Sequence, residues 1–110
     1  GAFKSSNSIF TPIGRSSELD FIRPSKAFIS AAGVSIEHGV TCFNFDELLM
    51  KHQAIERSAQ SILVADSSKF DQVRPAAIAP LARFNVVVSD AEPPQAYLDF
   101  CDQSDIPLLV

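Results

Sequence analysis

The chain reads as an α/β protein built on a doubly wound, mostly parallel sheet. Apolar runs at Ala27-Phe28-Ile29, Ile62-Leu63-Val64-Ala65 and Val86-Val87-Val88 are continuous rather than alternating. Strands covered on both faces of a parallel sheet have that pattern. Between the first two runs, Phe45, Leu48, Leu49, His52, Ile55 and Ala59 recur at intervals of three and four, which predicts one helical face. The order strand, helix, strand, linker, strand, helix, strand then implies right-handed βαβ crossovers.

Taken in order, Ser8-Ile9-Phe10 is a short extended piece. Ser16 to Ile22 is a helical turn that ends ahead of Arg23-Pro24, because the residue before a proline is driven out of the helical region. After the first strand, Gly33 and Gly39 bracket a loop, Val34 to His38, and both can supply turn geometry. Gly33 also lies at a strand end, where a ligand can approach the backbone closely. Asn44 followed by Glu47 forms a capping-box pattern, and Asp46 with Glu47 places negative charge at the positive end of the helix dipole. His52 falls on the apolar stripe and reads as a hydrogen-bonded core histidine. Asp71 to Arg83 contains Pro75 and Pro80 and is expected to be an irregular crossover. Pro93-Pro94 opens a second helix through Tyr97 and Cys101, proline being tolerated in a first turn, and Ile106 to Val110 supplies a fourth strand.

The 110 residues suit one domain, and 13 Asp+Glu against 9 Lys+Arg give a net charge of -4. With no cluster of Lys or Arg, a direct nucleic-acid surface is not expected, since such a surface displaces counterions from phosphates with basic side chains. If the protein acts on DNA, another part of it makes the contact. No apolar run approaches the roughly 20 residues that span a bilayer, and Gly1 to Ser6 lack the apolar core of a signal peptide, so a soluble cytoplasmic protein with no membrane partner is expected. Cys42 and Cys101 are far apart, without CxxC or Cys/His spacing, which suits two reduced thiols rather than a disulfide or a metal site. His38 and His52 form no catalytic or metal set. No GxSxG, HExxH, P-loop or GxGxxG occurs, and no cofactor is expected.

In open parallel sheets ligands bind beyond the carboxyl ends of the strands. The candidate segments are therefore Ser30 to Gly33, Asp66-Ser67-Ser68-Lys69 and Ser89-Asp90. The second is the most informative: an acid, two hydroxyls and an amine directly after a buried strand. Lys69 offers a point charge to a phosphate or carboxylate, Ser67 and Ser68 offer hydroxyls, and Asp66 can accept from a sugar hydroxyl or fix Lys69. The competing reading is that Asp-Ser-Ser caps a turn and Lys69 is solvated. Glu47 and Lys51 stand one helical turn apart, a pair that contributes only about 0.2–0.5 kcal/mol on a surface.

The series Lys26 to Ile29, Ala32-Gly33-Val34, Gly39-Val40-Thr41, Asn44, Glu47 with Lys51, Leu63 to Phe70 and Val86 to Asp90, in this order and spacing, resembles the effector-binding domain of DeoR-family bacterial transcriptional repressors. Ser6 to Phe10, Ser30 to Val34, Thr41 to Asn44 and Val73-Arg74-Pro75-Ala76 look most like the branch of that family that governs deoxyribonucleoside operons. The resemblance runs over essentially the whole chain. It implies a Rossmann-like sensor for a phosphorylated sugar, deoxyribose 5-phosphate being the first expectation, in a repressor whose winged helix-turn-helix touches DNA and which works as a homo-oligomer. On this reading residues 1–110 are the C-terminal part of the sensor, and the family's Gly-Thr-Thr phosphate loop and Thr-Asn turn lie outside them. The acid usual before the Lys-Ala-Phe strand is Ser25 here.

The sensor fold of this family resembles ribose-5-phosphate isomerase and glucosamine-6-phosphate deaminase, so a phosphosugar isomerase or deaminase is the alternative. A bare oligomerisation module is the third reading. Isomerisation requires a carboxylate base to move a proton between adjacent carbons. The isomerase segment Asp-Gly-Ala-Asp-Glu is matched here by Ile29 to Gly33, which contains no acid, and the isomerases' catalytic Glu falls at about Lys51. No catalytic residue is therefore assigned. The effector-binding candidates are Lys69, Asp66, Gly33 and Ser67, with Glu47 and Lys51 as pocket wall.

Overall fold

The computed structural model describes residues 26–110. The readings of Ser8 to Phe10 and Ser16 to Ile22 lie outside those residues. Within them, β1 (Lys26–Ser30), β4 (Gln60–Val64), β6 (Val86–Val88) and β7 (Leu108–Leu109) form a four-stranded parallel sheet in the order β1-β4-β6-β7. The inner strand β4 has Ser61, Ile62 and Leu63 buried in succession, so both its faces are covered, which is why Ile62 to Ala65 reads as an unbroken apolar run. Helix α1 (Leu48–Arg57) connects β1 to β4 by way of a hairpin, and α2 (Gln95–Gln103) leads from β6 to β7. The chain is thus an α/β protein whose main sheet is parallel, as expected.

A second sheet was not expected. β2 (Gly33–Ser35) and β3 (Gly39–Cys42) form an antiparallel hairpin, and β5 (Ala76–Ala79) pairs antiparallel with β3. The segment from Val34 to His38 is therefore strand and tight turn rather than loop. Gly39, at φ +82, supplies the left-handed residue at the hairpin's return. The stretch from Asp71 to Arg83 is likewise not irregular throughout: Pro75 and Pro80 stand just outside β5 and bound it without interrupting it.

α1 is rotated from its expected phase. Ala54 and Ile55 are buried and Leu48 partly so, whereas Phe45 and Leu49 are exposed, and Ala59 lies past the helix end at Arg57. His52 is not a core residue. It is exposed, and its Nε2 lies 2.8 Å from the carbonyl of Ile78 on β5, so it is hydrogen-bonded as expected but at the rim. The capping box also resolves differently. A 3-10 turn, Phe45–Glu47, precedes α1, and the Asn44 side chain caps no helix N–H but donates to Glu47 Oε2 at 3.3 Å.

α2 ends as the sequence does not announce. Asp105 adopts φ 57, the Ile106 N–H reaches back to the Cys101 carbonyl at 2.8 Å, and Ile106 is buried. This is the left-handed helix stop usually made by glycine. Cys42 and Cys101 are free, buried thiols on separate elements, and burial pushes the Cys101 thiol up, away from reactivity. Among the described residues no helix is long and apolar enough to cross a membrane.

Candidate functional site

Because β1, β4 and β6 run parallel and adjacent, their carboxyl ends deliver three segments to one edge of the sheet. From β4 the chain passes through Asp66 into a 3-10 turn, Ser67–Lys69. Asp66 Oδ1 accepts from the Ser68 N–H at 3.0 Å and from the Ser68 hydroxyl. Those two bonds hold the Asp66 carboxyl below the usual carboxylate range. From β6, Asp90 Oδ1 accepts the Ser67 N–H at 2.7 Å. Asp66 and Asp90 thus secure the start of the turn, so the capping reading of Asp66 describes its geometry. Lys69 is half-buried, and its ammonium makes no hydrogen bond or ion pair among the described residues.

At the end of β1, Lys51 Nζ donates to the Ser30 carbonyl at 2.9 Å and pairs with Glu47 at 3.1 Å. The Lys51 side chain is only 16% exposed, which distinguishes it from an ordinary surface pair. Its hydrogen bond, followed by that of Asn44, holds Glu47 below its ordinary pKa. Ser30 and Val64 are register partners in the sheet, so the Lys51 head is bound at the end of the strand next to the one that leads into the Lys69 turn.

Gly33 is on β2 in the second sheet, where its neighbour Val34 accepts the Asp71 N–H at 2.8 Å, so it borders the segment that follows Lys69. A Cβ there would stand 2.5 Å from the Gln72 carbonyl and 2.7 Å from Thr41 Oγ1, so its backbone already approaches the protein's own chain closely. Of the sequence candidates, the fold therefore gathers Asp66, Ser67 and Lys69 on one turn, sets Gly33 against Gln72 at the end of the same segment, and places Lys51, paired with Glu47, at the end of the neighbouring strand β1. Ser89, at the end of β6, is buried and its hydroxyl has no partner among the described residues.

Arg74 was missed. Its Nε donates to the Ala32 carbonyl at 3.1 Å, just past β1, and its guanidinium lies over the Phe43 ring at 4.7 Å from the centroid. It is a further cation fixed near the end of β1, from a segment read as crossover and as part of the family resemblance but not as a candidate site. A separate groove of about 350 Å³ between α1 and the β5 region is lined by His52, Ile55, Glu56, Ile78, Pro80 and Arg83. The carboxyl edge itself presents a cation and hydroxyls on a capped turn, an arrangement suited to holding an oxyanion.

Comparison with known proteins identifies the family. The DeoR C-terminal sensor domain profile matches residues 1–91. The deoxyribose operon repressor of Escherichia coli K12 is 44% identical over 109 residues, 99% of this chain and 43% of that protein. A putative sgc region transcriptional regulator of the same strain is 38% identical over 86 residues, 76% of this chain and 33% of that protein. The HTH-type transcriptional repressor GlcR of Bacillus subtilis 168 is 33% identical over 85 residues, 77% of this chain and 33% of that protein. The chain spans less than half the length of these curated relatives. With a profile matched over most of its residues and a relative aligned along nearly all of it, the chain belongs to the family of DeoR C-terminal sensor domains.

Proposed function

We propose that this chain is the C-terminal part of the effector sensor of a bacterial DeoR-family transcriptional repressor, and that a phosphorylated sugar docks at the carboxyl edge of the parallel sheet. The observation that carries the reading is Lys69, a half-buried residue whose ammonium has no hydrogen bond or ion pair among the described residues, on a turn held by Asp66 and Asp90. A cation without a protein partner on a fixed turn is suited to an anionic ligand. Deoxyribose 5-phosphate is the first candidate because a relative 44% identical to this chain is named for the deoxyribose operon. The ligand would shift the balance between repressor states that differ in DNA affinity, and only as far as its own affinities for those states differ. DNA contact would fall to a winged helix-turn-helix in the full-length protein. Self-association is part of the same proposal, since two-fold DNA sites require at least dimers; Phe43, Phe45, Leu49 and Met50 leave large apolar side chains exposed for it.

The test is a calorimetric titration of the full-length protein with deoxyribose 5-phosphate, with ribose 5-phosphate and glucosamine 6-phosphate alongside, for wild type and Lys69→Ala. The expected result is a Kd raised tenfold or more in Lys69→Ala, corresponding to about 1.4 kcal/mol. Equal affinities would remove Lys69 from the site. Turnover of any of the three sugars would replace the sensor with an isomerase or deaminase.

A further inference from the structure

The turn that carries Lys69 is fastened at its far end to α2. Tyr97 is buried on α2, and its hydroxyl donates to Asp71 Oδ1 at 2.7 Å. The same hydroxyl lies 3.2 Å from the Val34 carbonyl on β2, which also accepts the Asp71 N–H at 2.8 Å. The Tyr97 ring meets buried Phe70 edge to face, with centroids 5.0 Å apart. Asp71 holds φ 68, a left-handed conformation that residues other than glycine rarely adopt and that Asn and Asp tolerate best. The Gln72 N–H closes back on the Lys69 carbonyl at 3.3 Å.

We propose that Tyr97 is a positioning residue for the effector site: its hydrogen bond to Asp71 fixes the end of the Ser67–Gln72 segment and thereby sets where the Lys69 ammonium stands. The inference rests on the sugar-phosphate reading given above. Core filling alone needs only the ring, which a phenylalanine would provide; the hydroxyl is what reaches the turn. A buried phenol requires a partner, and this one finds a carboxylate two residues beyond Lys69 rather than a group on its own helix. Asp90 anchors the segment before Lys69 and Tyr97 anchors it after. Removal of the second anchor leaves the half of the turn that follows Lys69 held by the backbone bonds of Asp71 and Gln72 and the burial of Phe70, without its side-chain tie to α2.

The test titrates deoxyribose 5-phosphate into full-length wild type, Tyr97→Phe, Asp71→Gly, their double variant, Asp71→Asn and Lys69→Ala, with thermal unfolding measured on each. Tyr97→Phe retains the ring and Asp71→Gly retains the left-handed backbone, so both remove the bond with little else. Each single variant is expected to raise Kd about 3- to 10-fold, as loss of one hydrogen bond does. The double variant should be no weaker than the weaker single, and Asp71→Asn, which still accepts from the hydroxyl, should bind within about threefold of wild type. Unchanged Kd in Tyr97→Phe and Asp71→Gly, with binding lost in Lys69→Ala, overturns this inference alone. Absence of binding in the wild type overturns it together with the sugar-phosphate reading.

Discussion

Lys51 Nζ donates to the carbonyl of Ser30 at 2.9 Å, so a side chain from the first turns of α1 closes the carboxyl end of a strand twenty-one residues earlier. Lys51 is three residues after Leu48 and four before Ile55, on the same helical face, and its side chain is 16% exposed. Lys51→Met keeps the stem and removes the donor. The expected cost is about 1 kcal/mol in urea unfolding, the low end for a hydrogen bond from a charged group because the site is partly wet.

Glu47 is the acid whose charge this arrangement uses. Lys51 and then Asn44 depress its pKa below 4.5, so the folded protein binds its proton less readily than the unfolded chain does. Its contribution is therefore fully present above pH about 4.5 and is lost as pH falls through the lower folded value. Thermal midpoints of wild type and Glu47→Gln should differ at pH 6–7 by about 0.3–0.5 kcal/mol equivalent and converge toward pH 3. A gap that persists unchanged at low pH would mean that the carboxylate charge is not its source.

Gly33→Ala separates two uses of a close backbone. The added methyl would stand 2.5 Å from the Gln72 carbonyl, a contact relieved only by moving backbone. The expected effect is a loss of about 1–3 kcal/mol of stability with or without sugar phosphate, as for other overpacked sites. Undiminished stability with lost ligand binding would make Gly33 a direct contact of the effector.

The parallel sheet was legible because β4 is buried on both faces and β6 fully on one and partly on the other, and burial of that kind leaves an unbroken apolar run in the sequence. The second sheet left no such mark. β2 and β3 are three and four residues long and carry Gly33, Ser35, Gly39 and Thr41, all buried but poor in apolar side chains, while β5 is masked by the prolines at either end. The phase of α1 was misread for a related reason. Hydrophobicity selected Phe45 and Leu49, whereas the inner face includes Lys51, whose polar head has a use at Ser30. The Asp66–Lys69 turn was legible because it follows a recognisable strand. Arg74 at Ala32 and Tyr97 at Asp71 join residues 42 and 26 positions apart, and no local spacing encodes such pairings.

The stop of α2 offers a stabilising change. Asp105 holds φ 57 where the turn back to Ile106 needs a left-handed residue, and a side chain there is strained. Asp105→Gly removes that strain and also loosens the unfolded chain, so the net gain should be about 0.5–1 kcal/mol. Asp105→Ala, which keeps a Cβ and lacks the local hydrogen bonding of Asp, should lose stability. A higher melting temperature for Ala than for Gly would show that the backbone angle is not what limits this stop.

Tyr97 provides a spectroscopic check on its own bond. It is the one tyrosine among 110 residues that include no tryptophan, so tyrosinate absorbance near 295 nm on this chain reports it alone. Burial first, and then donation to the Asp71 carboxylate, push its pKa up to about 12 from 10.0. The folded pKa lies above the unfolded one, so the contribution of the neutral phenol is complete below pH 10 and is lost as pH rises toward and through 12. In folded protein the absorbance should rise only above pH 11, and in urea near pH 10. Asp71→Gly should lower the folded midpoint while leaving the unfolded one in place, because it removes the carboxylate and leaves the ring's burial against Phe70 intact. A folded midpoint at pH 10 in wild type would mean that the hydroxyl is open to water and anchors nothing.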